Sequence, residues 1–268
     1  LKTYITFVAE RPHESVSTNL PALNHAGRFF YGNTEYSPVF LTLKNAEFRP
    51  MSELAKFLEH TILKPDTTLL DITRVCEEAL RYGFGAVCIP PTFAKDARRI
   101  LGERNKVRLA TVVGFPMGYS TIAAKSEEIK RAIDDGAEDI DAVVNISAIK
   151  SGLWNNVSRD IDGLALATQT RGGTLKLILE CGMLTSEEMK KVCEFAAAVG
   201  VPWLKTGTGF HGFDATPEMV RTLRAIAGAN VKIKAAGGIR TAAIASSLLE
   251  AGADRLGTSA SIAIVSEL

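Results

Sequence analysis

A chain of 268 residues, 46% of them hydrophobic and 23% charged, can bury one full core, and α/β barrels of this length are routinely a single unit. A formal charge of +1 lacks the basic excess that nucleic acid or an anionic membrane rewards, and no apolar stretch approaches the roughly 18 to 20 residues of a membrane span. The first residues lack a basic start feeding an apolar run, and Cys76, Cys88, Cys181 and Cys193 form no CxxC pair or zinc-ligand spacing, so reduced thiols, a cytoplasmic setting and no metal are expected.

Residues 1–50 stand apart. LKTYITFVAE reads as a strand, but RPHESVSTNLPALNHAGRFFYGNTEYSP is rich in turn formers without a sustained period, so an irregular extension is expected. From Met51 a rhythm sets in. FLEHTIL, GAVCIPP, VRLATVVGF, EDIDAVVN, LKLILE, PWLKTGTG, VKIKAAGG and DRLGTS are short apolar strands ending in Gly, Pro, Thr or Asn. Between them lie seven segments of helical period, several opening on Thr or Ser and closing on Gly, and ASIAIVSEL supplies a last short helix. This count predicts a (β/α)8 TIM barrel over 51–268 behind an atypical N-terminal extension. An open doubly wound sheet places its phosphate glycines after the first strand, whereas here the glycine-rich turns follow the last three strands.

In such barrels the chemistry sits at the C-terminal ends of strands, where Asp141, Lys205 and Lys234 fall. Two lysines on neighbouring strands in one desolvated mouth lower the pKa of at least one, leaving an amine that can attack a carbonyl. Asp141, across the mouth, can shuttle protons. The turns at Gly207, Thr208 and Gly209, at Gly237 and Gly238, and at Gly257 and Ser259 offer backbone N–H groups to a phosphate, with Ser259 starting the final helix. Arg240 either adds charge there or pairs with Asp254. Trp154 either forms a face between subunits of a homo-oligomer or covers the barrel.

The stretches EHTILKPDTT, GAVCIPPTFAKDAR, TVVGFPMG, GAEDIDAVVNISAIKSG, LKLILECGMLT, WLKTGTGF, VKIKAAGGIRT and GADRLGTS span about residues 56 to 260. They resemble the deoxyribose-phosphate aldolase family of class I aldolases. The resemblance implies reversible cleavage of 2-deoxy-D-ribose 5-phosphate to D-glyceraldehyde 3-phosphate and acetaldehyde, with no cofactor and with small phosphorylated sugars and aldehydes as partners. By motif, Lys205 resembles the Schiff-base lysine, Lys234 rather than Lys232 its perturbing neighbour, and Asp141 rather than Asp139 the proton relay. Glu59 and Thr61, flanking His60, lie near the substrate hydroxyls, with Glu59 standing where relatives often have Asp; Cys88 either reaches the pocket or is a buried hydrophobe. KTGTG in place of KTSTG, and Ala260 after Ser259 in place of a second serine, each remove a hydroxyl from the expected phosphate site. Another lysine-dependent aldolase or transaldolase, or a phosphosugar-binding barrel without turnover, are the rival readings.

Overall fold

The computed structural model describes residues 53–102 and 105–268, together with the backbone of 22–23, 29–31 and 34–36, in two units, Leu1–Pro50 and Met51–Leu268. In the first unit, β1 (Ala22–Leu23), β2 (Phe29–Tyr31) and β3 (Thr34–Tyr36) pair antiparallel in that order. These short strands lie within the stretch read as irregular. Phe-Phe-Tyr and Thr-Glu-Tyr are good strand formers on either side of Gly32 and Asn33, a pair suited to a two-residue hairpin, but triplets are too short to show a period. The strand expected at LKTYITFVAE lies outside the described residues.

The second unit is the expected closed barrel. Its strands are β4 (Leu58–Thr61), β5 (Ala86–Ile89), β6 (Arg108–Val113), β7 (Asp139–Val143), β8 (Thr174–Ile178), β9 (Trp203–Lys205), β10 (Lys232–Ala236) and β11 (Arg255–Thr258). Each pairs in parallel with the next, and β11 returns to β4. Around them run α1 (Leu69–Tyr82), α2 (Ala94–Leu101), α3 (Ile122–Asp134), α4 (Ile146–Lys150), α5 (Trp154–Gln169), α6 (Ser186–Ala198), α7 (Pro217–Ala227), α8 (Ala242–Glu250) and α9 (Ser261–Ser266). Only α4 was not expected: Asn145 caps it by accepting from the Ala148 N–H at 3.0 Å, a local signal inside what reads as a loop.

Threonine caps fix where five of the described helices begin, while α5 starts after Leu153 without a side-chain cap. Thr68 with Asp71 and Thr185 with Glu188 form capping boxes at α1 and α6, while Thr121, Thr216 and Thr241 cap α3, α7 and α8. The caps place each helix start just after a strand's C-terminal end, so the βα loops are pinned at the mouth. Trp154 covers α5 and α6: its ring lies 6.5 Å from Phe195 and 4.1 Å from the Lys191 ammonium.

The main apolar core lies between strands and helices, while Cys88, Ala110 and Val112 form a separate small cluster. Charged side chains from β4, β7, β8, β9 and β10 supply buried polar groups along the same strands. A second buried charge pair sits under the α4 turn. The Lys125 Nζ donates to both Asp160 carboxylate oxygens at 3.0 and 2.9 Å and to the Val143 carbonyl at 2.9 Å, and Asp160 accepts from the Asn145 N–H at 3.0 Å. Burial pulls the Lys125 pKa down and pushes that of Asp160 up, each against the attraction of the other. The four cysteines are buried and free, and no described helix is long and apolar enough to cross a membrane.

Removing one partner of such a pair strands the other in low dielectric. Lys125→Ala is expected to cost about 3 to 5 kcal/mol in urea unfolding, and the double change Lys125→Met with Asp160→Asn markedly less.

Candidate active site

Inward-pointing positions alternate along each strand, and register brings the charged ones side by side. Asp141 on β7 pairs with Lys176 on β8, Lys205 on β9 with Lys234 on β10, and Lys234 with Arg255 on β11. The Lys205 Nζ donates to Asp141 Oδ2 at 2.9 Å, and the Lys234 Nζ donates to the same oxygen at 2.5 Å and also to Glu59 Oε1. Three expected residues, Asp141, Lys205 and Lys234, therefore converge on one atom, and Glu59 joins them.

Lys176 was missed from sequence. It is fully buried and its Nζ lies 3.1 Å from Glu59 Oε2, 2.7 Å from Asp139 Oδ2 and 3.4 Å from Asp141 Oδ1, tying the three carboxylates together. The signal was available: in TLKLI a lone lysine occupies the strand position whose neighbours on both sides are leucine, and a helix-covered strand can place it only inward. Arg255 was missed as well; its Nη1 stands 3.8 Å from Glu59 Oε2 and from Asp139 Oδ2.

Asp139 belongs below the site, bonded by the Arg108 Nε at 2.9 Å, and Lys232 is exposed at the start of β10 with its ammonium 5.3 Å from the Trp203 ring. Thr61 donates to the Glu59 carbonyl at 2.9 Å at the mouth end of β4. Cys88 is fully buried, and burial pushes its thiol up to about 12, so it remains protonated. Cys88, Glu59 and Asp141 each bring one donor atom within 4.8 Å of the others, a spacing a metal could use, but the cation bonded to both carboxylates is the Lys234 ammonium.

Burial opposes the charge of Lys234, yet Asp141 and Glu59 outweigh it and hold its pKa above the ordinary lysine value. A second ammonium nearby does not neutralise Lys234, because carboxylates lie between the cations. Burial likewise opposes ionisation of Asp141, and Lys205, Lys234 and Lys176 together hold it well below the usual carboxylate range. Burial also opposes ionisation of Glu59, and Lys176 and Lys234 together lower its pKa from the ordinary value. Lys176, Lys205, Lys234 and Arg255 thus face Glu59, Asp139 and Asp141, with Arg108 also bonded to Asp139, and of the three lysines Lys205 has the fewest carboxylate contacts.

The glycine positions divide into two groups. Gly209, Gly237, Gly238 and Ser259 lie on the turns beyond β9, β10 and β11, and among the described residues no acceptor is found for their N–H groups. A Cβ on Gly209 would stand 3.7 Å from the Gly237 Cα, so the first two turns adjoin. The other three residues are used internally. A Cβ at Gly257 would come within 2.8 Å of Lys234 Cε, so this glycine makes room for the lysine stem; one at Gly207 would meet Glu180 Oε1 at 2.8 Å. Thr208 gives its N–H and hydroxyl to Glu180 Oε2 at 3.1 and 2.5 Å. Ser259 does not start the last helix, whose cap position is Ala260, and Asp254 pairs with Arg224 at 2.5 Å, leaving Arg240 exposed and without an ion pair among the described residues.

Residues 52–265 match the model of the DeoC/LacD family aldolases. The chain belongs to that family. The deoxyribose-phosphate aldolase of Thermococcus gammatolerans is 43% identical over 214 residues, covering 80% of this chain and 95% of the relative; that of Thermococcus kodakarensis is 44% identical over 80% and 96%. Among solved structures, the aldolase QR15 superposes with a TM-score of 0.76 at 35% identity over 81% of this chain and 96% of its own. A deoxyribose phosphate aldolase from Aeropyrum pernix, described as a unique tetramer, superposes at 0.73 with 28% identity over 80% and 90%.

The depressed carboxylates fix the sign of the acid response. A carboxylate whose folded pKa lies below its unfolded value adds stability that is complete above the unfolded value and lost as pH falls through the folded one. Melting temperature is therefore expected to hold down to about pH 5 and to fall steeply below about pH 4. Asp141→Asn, which removes one of these groups, should melt lower at pH 7 but lose less between pH 5 and pH 3; parallel curves from calorimetry would show that Asp141 carries no such linkage.

Proposed function

We propose that this chain cleaves 2-deoxy-D-ribose 5-phosphate reversibly to D-glyceraldehyde 3-phosphate and acetaldehyde through an imine on Lys205. The observation that carries the proposal is the shared Asp141 oxygen between Lys205 and Lys234, because it gives one amine a carboxylate and a fixed second cation in a water-poor pocket. Lys205 contacts a single carboxylate, whereas Lys234 lies between two that hold its pKa above the ordinary lysine value, so Lys205 is the lysine free to turn toward a substrate carbonyl.

The neutral Lys205 amine attacks the C1 aldehyde of the open-chain sugar. Asp141 orients the carbinolamine hydroxyl, which leaves as water with a proton relayed from solvent while the Lys234 ammonium stays in place beside it, and the product is an iminium. Removal of the C3 hydroxyl proton, relayed through water to Asp141, breaks the C2–C3 bond; its electron pair passes into the iminium to give the enamine, and C3 leaves as the aldehyde of glyceraldehyde 3-phosphate. Protonation at C2 and hydrolysis release acetaldehyde and free the amine. Asp141 is held so far toward its charged form that it acts as an anchor and relay and passes the proton on. The phosphate is received by the open N–H groups of Gly209, Gly237, Gly238 and Ser259, with Arg240 beyond. Glu59 holds Lys234, and Thr61 and Cys88 line the neighbouring wall.

A barrel that binds phosphosugars without turnover has no use for three buried lysines gathered on three carboxylates. The four free cysteines support a reducing cytoplasmic setting, and the tetramer described for the Aeropyrum pernix relative supports a homo-oligomer.

In a coupled assay of glyceraldehyde 3-phosphate release, Lys205→Leu is expected to fall to background and Asp141→Asn to lose about 10²- to 10⁴-fold in kcat. Full activity in Lys205→Leu would refute the assignment.

A further inference from the structure

The loop after β9 crosses the anion cradle and brings its own carboxylate with it. The Ala215 N–H donates to the Gly237 carbonyl at 3.0 Å, and a Cβ on Gly237 would stand 2.7 Å from the Phe213 carbonyl oxygen. Phe213 occupies the space beside Gly182, so the loop is also seated on the turn after β8. This pins Asp214. Its carboxyl carbon and Oδ1 lie where a Gly238 Cβ would be, against a glycine whose φ of +71 already excludes a side chain. The carboxylate is exposed, has no ion pair among the described residues and accepts no hydrogen bond there, so nothing in the described fold neutralises it.

A phosphate accepting from the Gly238 N–H would share that glycine with the Asp214 carboxylate. The neighbourhood adds little to offset it. Residues 207 and 260 bring no hydroxyl, the space on Gly207 faces Glu180 Oε1, and Arg240 is the one uncommitted cation nearby among the described residues.

We propose that Asp214 is a specificity-determining residue that sets a fixed negative charge on the rim of the phosphate cradle and shifts the enzyme toward unphosphorylated 2-deoxyaldoses. The proposal rests on the aldolase reading above and concerns the same site. A sugar without the phosphate keeps C1 at Lys205 and presents a hydroxyl at the cradle, which Asp214 can accept from; a phosphate dianion meets repulsion there.

The test has two arms. Phosphorus NMR titration with inorganic phosphate reads the cradle without catalysis: Asp214→Asn should tighten phosphate about tenfold and Asp214→Glu should not, and the gain should shrink as NaCl rises from about 0.05 to 1 M, because screening shortens the reach of a charge and leaves packing untouched. In kinetics, Asp214→Asn should raise the ratio of kcat/KM for 2-deoxyribose 5-phosphate over 2-deoxyribose by about the same factor. Asp214→Ser serves where the asparagine variant does not fold. Unchanged or weaker phosphate binding in the neutral variants overturns the proposal. If the parent cleaves neither sugar, the aldolase reading fails, while the titration still decides the role of Asp214.

Discussion

The site depends on one constraint: cations and carboxylates buried inside a barrel must satisfy one another. Asp141 is the pivot, because its Oδ2 receives both Lys205 and Lys234 while its Oδ1 faces Lys176. Burying each charge alone would cost several kcal/mol, so the side chains hold their places by mutual need, and their geometry is set before any substrate arrives. Unequal contacts link this arrangement to function: Lys205 is held by one carboxylate and Lys234 by two, so Lys205 is the lysine that can leave the cluster for a carbonyl.

The glycines serve two ends in the same architecture. Gly257 leaves a gap through which the Lys234 stem reaches Asp141, and Gly207 does the same for the Glu180 carboxylate. Gly209, Gly237 and Gly238 keep backbone N–H groups open where the chain turns back toward its helices. The same turns are crossed by the loop carrying Asp214, so amine chemistry and anion selectivity are set by adjacent residues of the β9, β10 and β11 loops without sharing a side chain.

The barrel was legible because each strand is bounded by turn formers and five of the described helices open on a threonine cap, signals that are local in sequence. Lys205, Lys234 and Asp141 were legible because strand-end position is enough to place a side chain at the mouth. Lys176 hid among leucines, where a pattern reading sees only an apolar strand; its inward direction follows from parity and could have been used. The role of Gly257 and the commitment of Thr208 to Glu180 depend on contacts between residues far apart in the chain, which no local pattern encodes. Which lysine is held charged was not legible, because sequence shows the cations at their strand ends but not Glu59 reaching Lys234. The three-residue strands β2 and β3 were lost to their own brevity.

The central claim is that Lys205 is the amine that becomes covalent. Incubating the protein with acetaldehyde and borohydride and locating the added mass by peptide mass spectrometry tests it directly. A two-carbon adduct on Lys205, absent from Lys205→Leu, is the predicted result. Unmodified Lys205 in folded, active protein, with the adduct on Lys234 or Lys176 instead, would contradict the account and assign the nucleophile to a lysine that the charge balance holds protonated.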